Sequence, residues 1–151
     1  MNLRFNCKTE RYGECEVYLP VVPVILKGEK GHEPLNFTAI LDTGSPFVLI
    51  PREIADALGL AYDSTKTESA KGYNGDNFTT TKSKITITLR RGREKVTIDC
   101  ICMIQLDGDR EHEHLIIGSS FFEHVRVDFD YPNKKFYVKG ETKLLRSGTL
   151  H

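Results

Sequence analysis

From Val96 to Leu106 every second residue is apolar: Val96, Ile98, Cys100, Cys102, Ile104 and Leu106 fall on one side of an extended chain. Strand side chains alternate between faces with a period of two, so this run is a strand with one face committed to a core. Ile101 and Met103 make its middle apolar on the other face as well, which predicts a central strand covered on both sides. The same period recurs along the chain. Leu35, Phe37, Ala39 and Leu41 alternate, Ile85, Ile87 and Leu89 alternate with Thr86 and Thr88, and Val125, Val127 and Phe129 alternate with Arg126, Asp128 and Asp130. The expected fold is all-β, with one or two short helices.

Turn and helix signals set the boundaries. Val17 to Leu26 is rich in β-formers but contains Pro20 and Pro23, which lack the N–H a central ladder needs, so it reads as an edge or bulged strand. A polar loop, Gly28 to Pro34, leads into the alternating strand that ends at Asp42. Phe47 to Ile50 is a continuous apolar run suited to a strand buried on both faces, and Pro51 stops it. Pro51 to Gly59 reads as a short helix with Ile54, Ala55 and Leu58 inward. Ser64 to Lys84 is polar and threonine-rich around Gly72 to Asn77, which predicts a long exposed hairpin with nothing to bury in a core. Gly92 turns the chain, Asp107 to Glu113 is a charged loop, and Leu115 to Ile117 is a short buried run. Ser119 is placed to cap a short helix reaching His124. Tyr131 to Lys134 turns into a last strand, Lys135 to Lys139, after which only Leu144, Leu145 and Leu150 could anchor a tail.

Composition excludes several function classes. The 151 residues suit one domain, and a 39% hydrophobic content supports a core. Lys plus Arg and Asp plus Glu both number 21, so no net field draws the chain to nucleic acid or to an anionic membrane. The densest basic stretch, Lys82, Lys84, Arg90, Arg91, Arg93 and Lys95, has no interleaved aromatics to stack bases and reads as a solvated strand end. The start of the chain lacks the apolar segment of an export signal, so the four cysteines are expected as reduced thiols and the compartment as the cytoplasm. Cys100 and Cys102 with His112 and His114 resemble a zinc ligand set. The single residue between the cysteines is too short for a zinc knuckle, however, and both thiols continue an apolar series. No metal and no cofactor is expected.

One motif carries chemistry. Asp42-Thr43-Gly44-Ser45 follows the strand that ends at Leu41. Alone, Asp-Thr-Gly is short enough to arise by chance, and its ordinary reading is a turn in which Asp binds its own backbone. Its surroundings add order: an apolar strand precedes it, another follows, and Leu115-Ile116-Ile117-Gly118 later places two apolar residues and a glycine before a short helix. In that order, from Val17 to Lys139, the chain resembles the retropepsin-like aspartic peptidases, single-domain relatives of pepsin. The resemblance implies a homodimeric acid-protease barrel over 17–139, an N-terminal extension 1–16 able to supply a dimer strand, and a C-terminal tail 140–151. It also implies roles. Asp42 is the catalytic carboxylate, Thr43 reaches across to the facing subunit, Gly44 lets the two loops approach, and Ser45 donates to the outer oxygen of Asp42. Gly118 packs beneath the loop and His114 and Ile116 line the cleft. Gly72, Tyr73, Asn74 and Gly75 form the tip of a flap over a peptide or protein substrate.

Amide hydrolysis of this kind needs one group to activate water and another to protonate the leaving nitrogen. Two adjacent carboxylates sharing one proton supply both, because like charges so close do not both ionise. This chain has one Asp-Thr-Gly, and Asp128 and Asp130 lack the following Thr-Gly or Ser-Gly. The second carboxylate is therefore expected from Asp42 of another copy across a two-fold axis. The chain departs from retroviral relatives at Ser45, where they carry alanine, at Pro46, where they carry aspartate, and at Ser119, where they carry arginine. Phe47, Tyr73 and Ile116 suggest apolar side chains flanking the scissile bond. The alternative is the same fold kept as a catalytically silent dimerisation or peptide-binding module.

Overall fold

The computed structural model describes residues 2–29, 31–72, 75–107 and 115–140. In chain order these hold β1 (Asn2–Asn6), β2 (Lys8–Tyr12), β3 (Cys15–Leu19), β4 (Val21–Lys27), β5 (Leu35–Leu41) and β6 (Val48–Pro51). Then follow α1 (Arg52–Ala57), β7 (Thr67–Lys71), β8 (Asn77–Arg91), β9 (Glu94–Gln105), β10 (Leu115–Ile117), α2 (Ser119–Phe122), β11 (Val125–Asp130) and β12 (Lys135–Gly140). The expected all-β architecture with two short helices is present. Among the described residues no helix is long and apolar enough to cross a membrane.

Six strands close on themselves in the order β4-β5-β10-β6-β9-β8, with β8 pairing back to β4, and β7 extends the sheet from β8. Closure removes exposed sheet edges, and the inward residues of each strand fill the interior. β9 is central as its pattern requires, parallel to β6 on one side and antiparallel to β8 on the other. Val96, Ile98, Cys100, Cys102 and Ile104 all face the core. On the opposite face Met103 is buried and Ile101 half-buried.

The proline-containing segment is not an edge strand. It breaks at Pro20 into β3 and β4, and β4 pairs with both β5 and β8. The β8 ladder begins at Val24, one residue past Pro23, so this proline lies where β4 is paired on one side. A missing donor is tolerated there.

Nor is the Thr-rich segment free of core. β8 starts in the exposed hairpin and runs on into the barrel, and Thr80, Thr81 and Ser83 are buried within it. The Thr81 hydroxyl lies 2.9 and 2.8 Å from the carbonyls of Asp63 and Lys66, and the Ser83 hydroxyl donates to the Ala61 carbonyl at 2.6 Å. Hydrogen bonding offsets the cost of burying these groups and fastens the 61–66 segment over the strand.

Segment 1–16 supplies β1 to this chain's own three-stranded sheet, β1-β12-β11, in antiparallel register along its length. Leu3 and Phe5 are buried, and Phe5 stacks on Phe136 at 5.3 Å between ring centres. Each such burial contributes ~1.5–3 kcal/mol, and the β1–β12 ladder adds its hydrogen bonds to hold the strand in place. The anticipated domain limits do not coincide with element ends: residue 17 lies inside β3, and Gly140 closes β12. The tail 141–151 lies outside the described residues.

Candidate active site

Asp42 stands where β5 leaves the barrel. Its N–H donates to the Ile117 carbonyl at 2.8 Å, extending the parallel β5–β10 ladder by one bond past Leu41. On its other flank β5 is tied in by the Leu41 N–H, which donates to the Pro20 carbonyl at 3.0 Å. The backbone that carries the carboxylate is thus tied on both sides, to β10 and to the β3–β4 junction, a firmer base than a loop alone.

The loop then folds back on the carboxylate. The Gly44 N–H donates to Asp42 Oδ1 at 2.9 Å, and the Ser45 N–H to the Asp42 carbonyl at 3.2 Å. A Cβ on Gly44 would sit 3.2 Å from that same Oδ1, so glycine lets the amide reach the acid without crowding it. Thr43, Gly44, Pro46 and Phe47 are exposed, while Asp42 and Ser45 are half-buried. Thr43 makes no hydrogen bond among the described residues.

Ser45 differs from its expected role. Its hydroxyl donates to the Phe47 carbonyl at 2.9 Å, not to Asp42. A serine oxygen two residues before an available carbonyl closes a local turn, and that contact takes its single proton. Phe47 also differs. It precedes β6 and is 39% exposed, so the buried apolar strand begins only at Val48.

Beneath the loop lies the turn from β10 into α2. A Cβ on Gly118 would fall 2.3 Å from the Ser45 carbonyl oxygen and 2.4 Å from that of Phe47, so the expected packing of this glycine under the loop is a steric necessity. Gly118, not Ser119, occupies the cap position of α2, and no side chain caps the helix. The Ser119 and Ser120 N–H groups instead donate to the Ser45 and Pro46 carbonyls at 2.8 and 3.2 Å. The loop itself takes the place of a side-chain cap.

Ile116 pairs in register with Ile40 on β5 and Leu49 on β6, and all three are half-buried on the same face of the barrel wall. Ile40 and Leu49, which the sequence analysis does not name, extend the apolar surface of Ile116 along this wall. Strand parity alone would have put Ile40 on this face, because its neighbours Ala39 and Leu41 point inward. Gly72 and Gly75 lie at the turn of the β7–β8 hairpin, where the Gly72 N–H donates to the Asp76 carbonyl and that of Gly75 to the Gly72 carbonyl. Tyr73, Asn74, His112 and His114 lie outside the described residues.

The other aspartates considered for the chemistry are engaged elsewhere. Asp128 pairs with Lys139 at 2.6 Å and Arg126 at 2.9 Å, which hold its carboxyl below the usual range, Lys139 contributing most. Asp130 accepts from the Asn133 backbone and side chain. Cys100 and Cys102 are core residues; burial first, then the charges of Asp99 and Cys100 respectively, pushes both thiols up to about 12. Among the described residues no cluster of three or more His, Cys, Asp or Glu is arranged to hold a metal.

A family model described as aspartyl protease matches residues 22–121, the span from β4 to α2 that builds this loop and its support. The fold is similar to that of a retropepsin-like aspartic protease from Rickettsia conorii, with a TM-score of 0.50 and 15% identity over 91% of this chain and 90% of that one. No curated protein matches the chain. With well over half of its length matched and the barrel in agreement, the chain belongs to the aspartyl protease family and has the retropepsin-like fold.

Proposed function

We propose that this chain is an aspartic endopeptidase that works as a homodimer, with Asp42 of each copy forming the catalytic pair. The supporting observation is Asp42 itself: one undamaged motif, fixed by the barrel, opening onto an exposed Thr43-Gly44 surface. One carboxylate of the pair is the base that draws a proton from water, and the other, protonated, donates to the developing tetrahedral oxygen and then to the leaving nitrogen. Thr43, without a partner among the described residues, is available to the facing loop, and the open edges of the β1-β12-β11 sheet offer a second contact between copies. Ile40, Leu49 and Ile116 select apolar side chains next to the scissile bond, and the β7–β8 hairpin closes over the substrate and excludes water. Four unbridged thiols, two of them in the core, suit a reducing compartment such as the cytoplasm.

The test is hydrolysis of a diverse peptide pool between about pH 3 and 7, with Asp42→Asn as control and the mass of the assembly measured in solution. Cleavage by a dimer, abolished in the variant, is the expected result. A well-folded dimer that cuts nothing supports instead a silent peptide-binding module.

A further inference from the structure

Between the candidate loop and the barrel's central strand lies one polar side chain that the mechanism above does not use. Ser120 is 8% exposed, in the first turn of α2. Its hydroxyl donates to the Ile101 carbonyl of β9 at 2.9 Å and accepts from the Val48 N–H, the first of β6, at 3.2 Å. A single oxygen thus joins the strand leaving the loop to the strand at the barrel's centre. Among the described residues no ion pair touches segment 42–48, so the loop hangs on hydrogen bonds from β10, α2 and its own turn.

We infer that Ser120 is the positioning residue of the Asp42 loop, setting where the loop re-enters the barrel. Serine suits the task because a hydroxyl is donor and acceptor at once and is small enough for a buried site. Alanine would leave the Val48 N–H and the Ile101 carbonyl unpaired, and the loop exit would shift to find new partners. Two carboxylates that must share a proton tolerate little displacement, since misplacing a catalytic group by about 1 Å can cost about a hundredfold in rate. Ser120 touches neither Asp42 nor substrate, so it acts through the loop.

The kinetic part of this inference rests on the peptidase reading; the structural part does not. The experiment compares wild type, Ser120→Ala, Ser120→Thr and Ser120→Cys with Leu89→Ala, a core truncation in β8 at a residue paired with Val24 and Val96. Thermal midpoint, kcat, KM and Val48 amide exchange are measured for each. In Ser120→Ala, kcat should fall by about tenfold or more with KM within about twofold, and Val48 exchange should accelerate. Ser120→Thr, which keeps the hydroxyl, should restore both, and the weaker hydrogen bonding of Ser120→Cys should give an intermediate result. The proposal is overturned if Ser120→Ala loses no more kcat than Leu89→Ala at equal stability, or if Val48 exchange is unchanged. Should Ser120→Ala not fold, full kcat in Ser120→Cys overturns it equally. A wild type that cleaves no peptide sinks the peptidase reading, and Val48 exchange then decides on Ser120 by itself.

Discussion

At the scale of single residues, two positions in contact around the Asp42 loop, 45 and 118, behave differently. The Ser45 hydroxyl spends its proton on the Phe47 carbonyl and none on the Asp42 carboxylate. Ser45→Ala should leave the acidic limb of the pH–rate profile in place and cost about 0.5–1.5 kcal/mol in urea unfolding, the net worth of one hydrogen bond. A displaced acidic limb would show that the hydroxyl turns to Asp42 in the working enzyme. Gly118 behaves oppositely. Its missing Cβ is space already held by the Ser45 and Phe47 carbonyls, which are backbone and cannot swing aside. Gly118→Ala should therefore push the loop off its seat, lowering kcat by about a hundredfold or more for a stability loss of only about 1–3 kcal/mol. The orientation of Ser45 was not legible in the sequence, because a hydroxyl chooses among acceptors that only the folded turn brings near. The glycine requirement at 118 was legible as a family pattern, and its cause became visible only with the loop lying on top.

At the scale of elements, β9 was the most legible part of the chain because its inward face alternates without a break from Val96 to Ile104. Burial of that face has a chemical consequence. With Cys100 and Cys102 held neutral up to about 12, against an ordinary 9.0, the folded protein keeps both protons where the unfolded chain has lost them. Their contribution to stability is complete below the unfolded value and declines as pH rises above about 9, since ionisation then favours the unfolded state. Urea unfolding across that range should show stability falling with pH, with a shallower slope in a Cys100→Val, Cys102→Val variant. A thiol reagent near neutral pH should modify exposed Cys15 first and reach these two only on unfolding. Other elements were legible in part. The β8 threonines look solvent-facing in sequence, and their burial depends on carbonyls of Ala61, Asp63 and Lys66 that a distant loop lays over them. The placement of β1 against β12 joins the two ends of the described chain, and nothing local in Asn2 to Asn6 specifies that partner. Pro23 reads as an edge signal only so long as a strand is taken to be paired along its whole length on both sides. In a closing barrel the two ladders of β4 start at different residues, and the proline fits in the offset.

At the scale of the whole molecule, the proposed activity requires that the functional unit be larger than the chain. Thr43, Gly44, Pro46 and Phe47 form an exposed surface directly around a half-buried acid, and the other aspartates considered are tied up in β11 and the turn that follows it. The formal charges balance, so two copies meet without long-range repulsion near neutral pH. Specific activity should then rise with protein concentration until the dimer is saturated. Mixing gives the sharper test. When wild type and Asp42→Asn chains are exchanged to equilibrium, a mixed dimer holds one carboxylate and one amide, which cannot share the proton that lets one group act as base and the other as acid. Activity should therefore follow the square of the wild-type fraction, with an equimolar mixture keeping about a quarter of the wild-type rate. If each chain carried a complete site, the same mixture would keep about half. A linear dependence, measured after exchange has been verified by mass, would mean that the second carboxylate lies within a single copy.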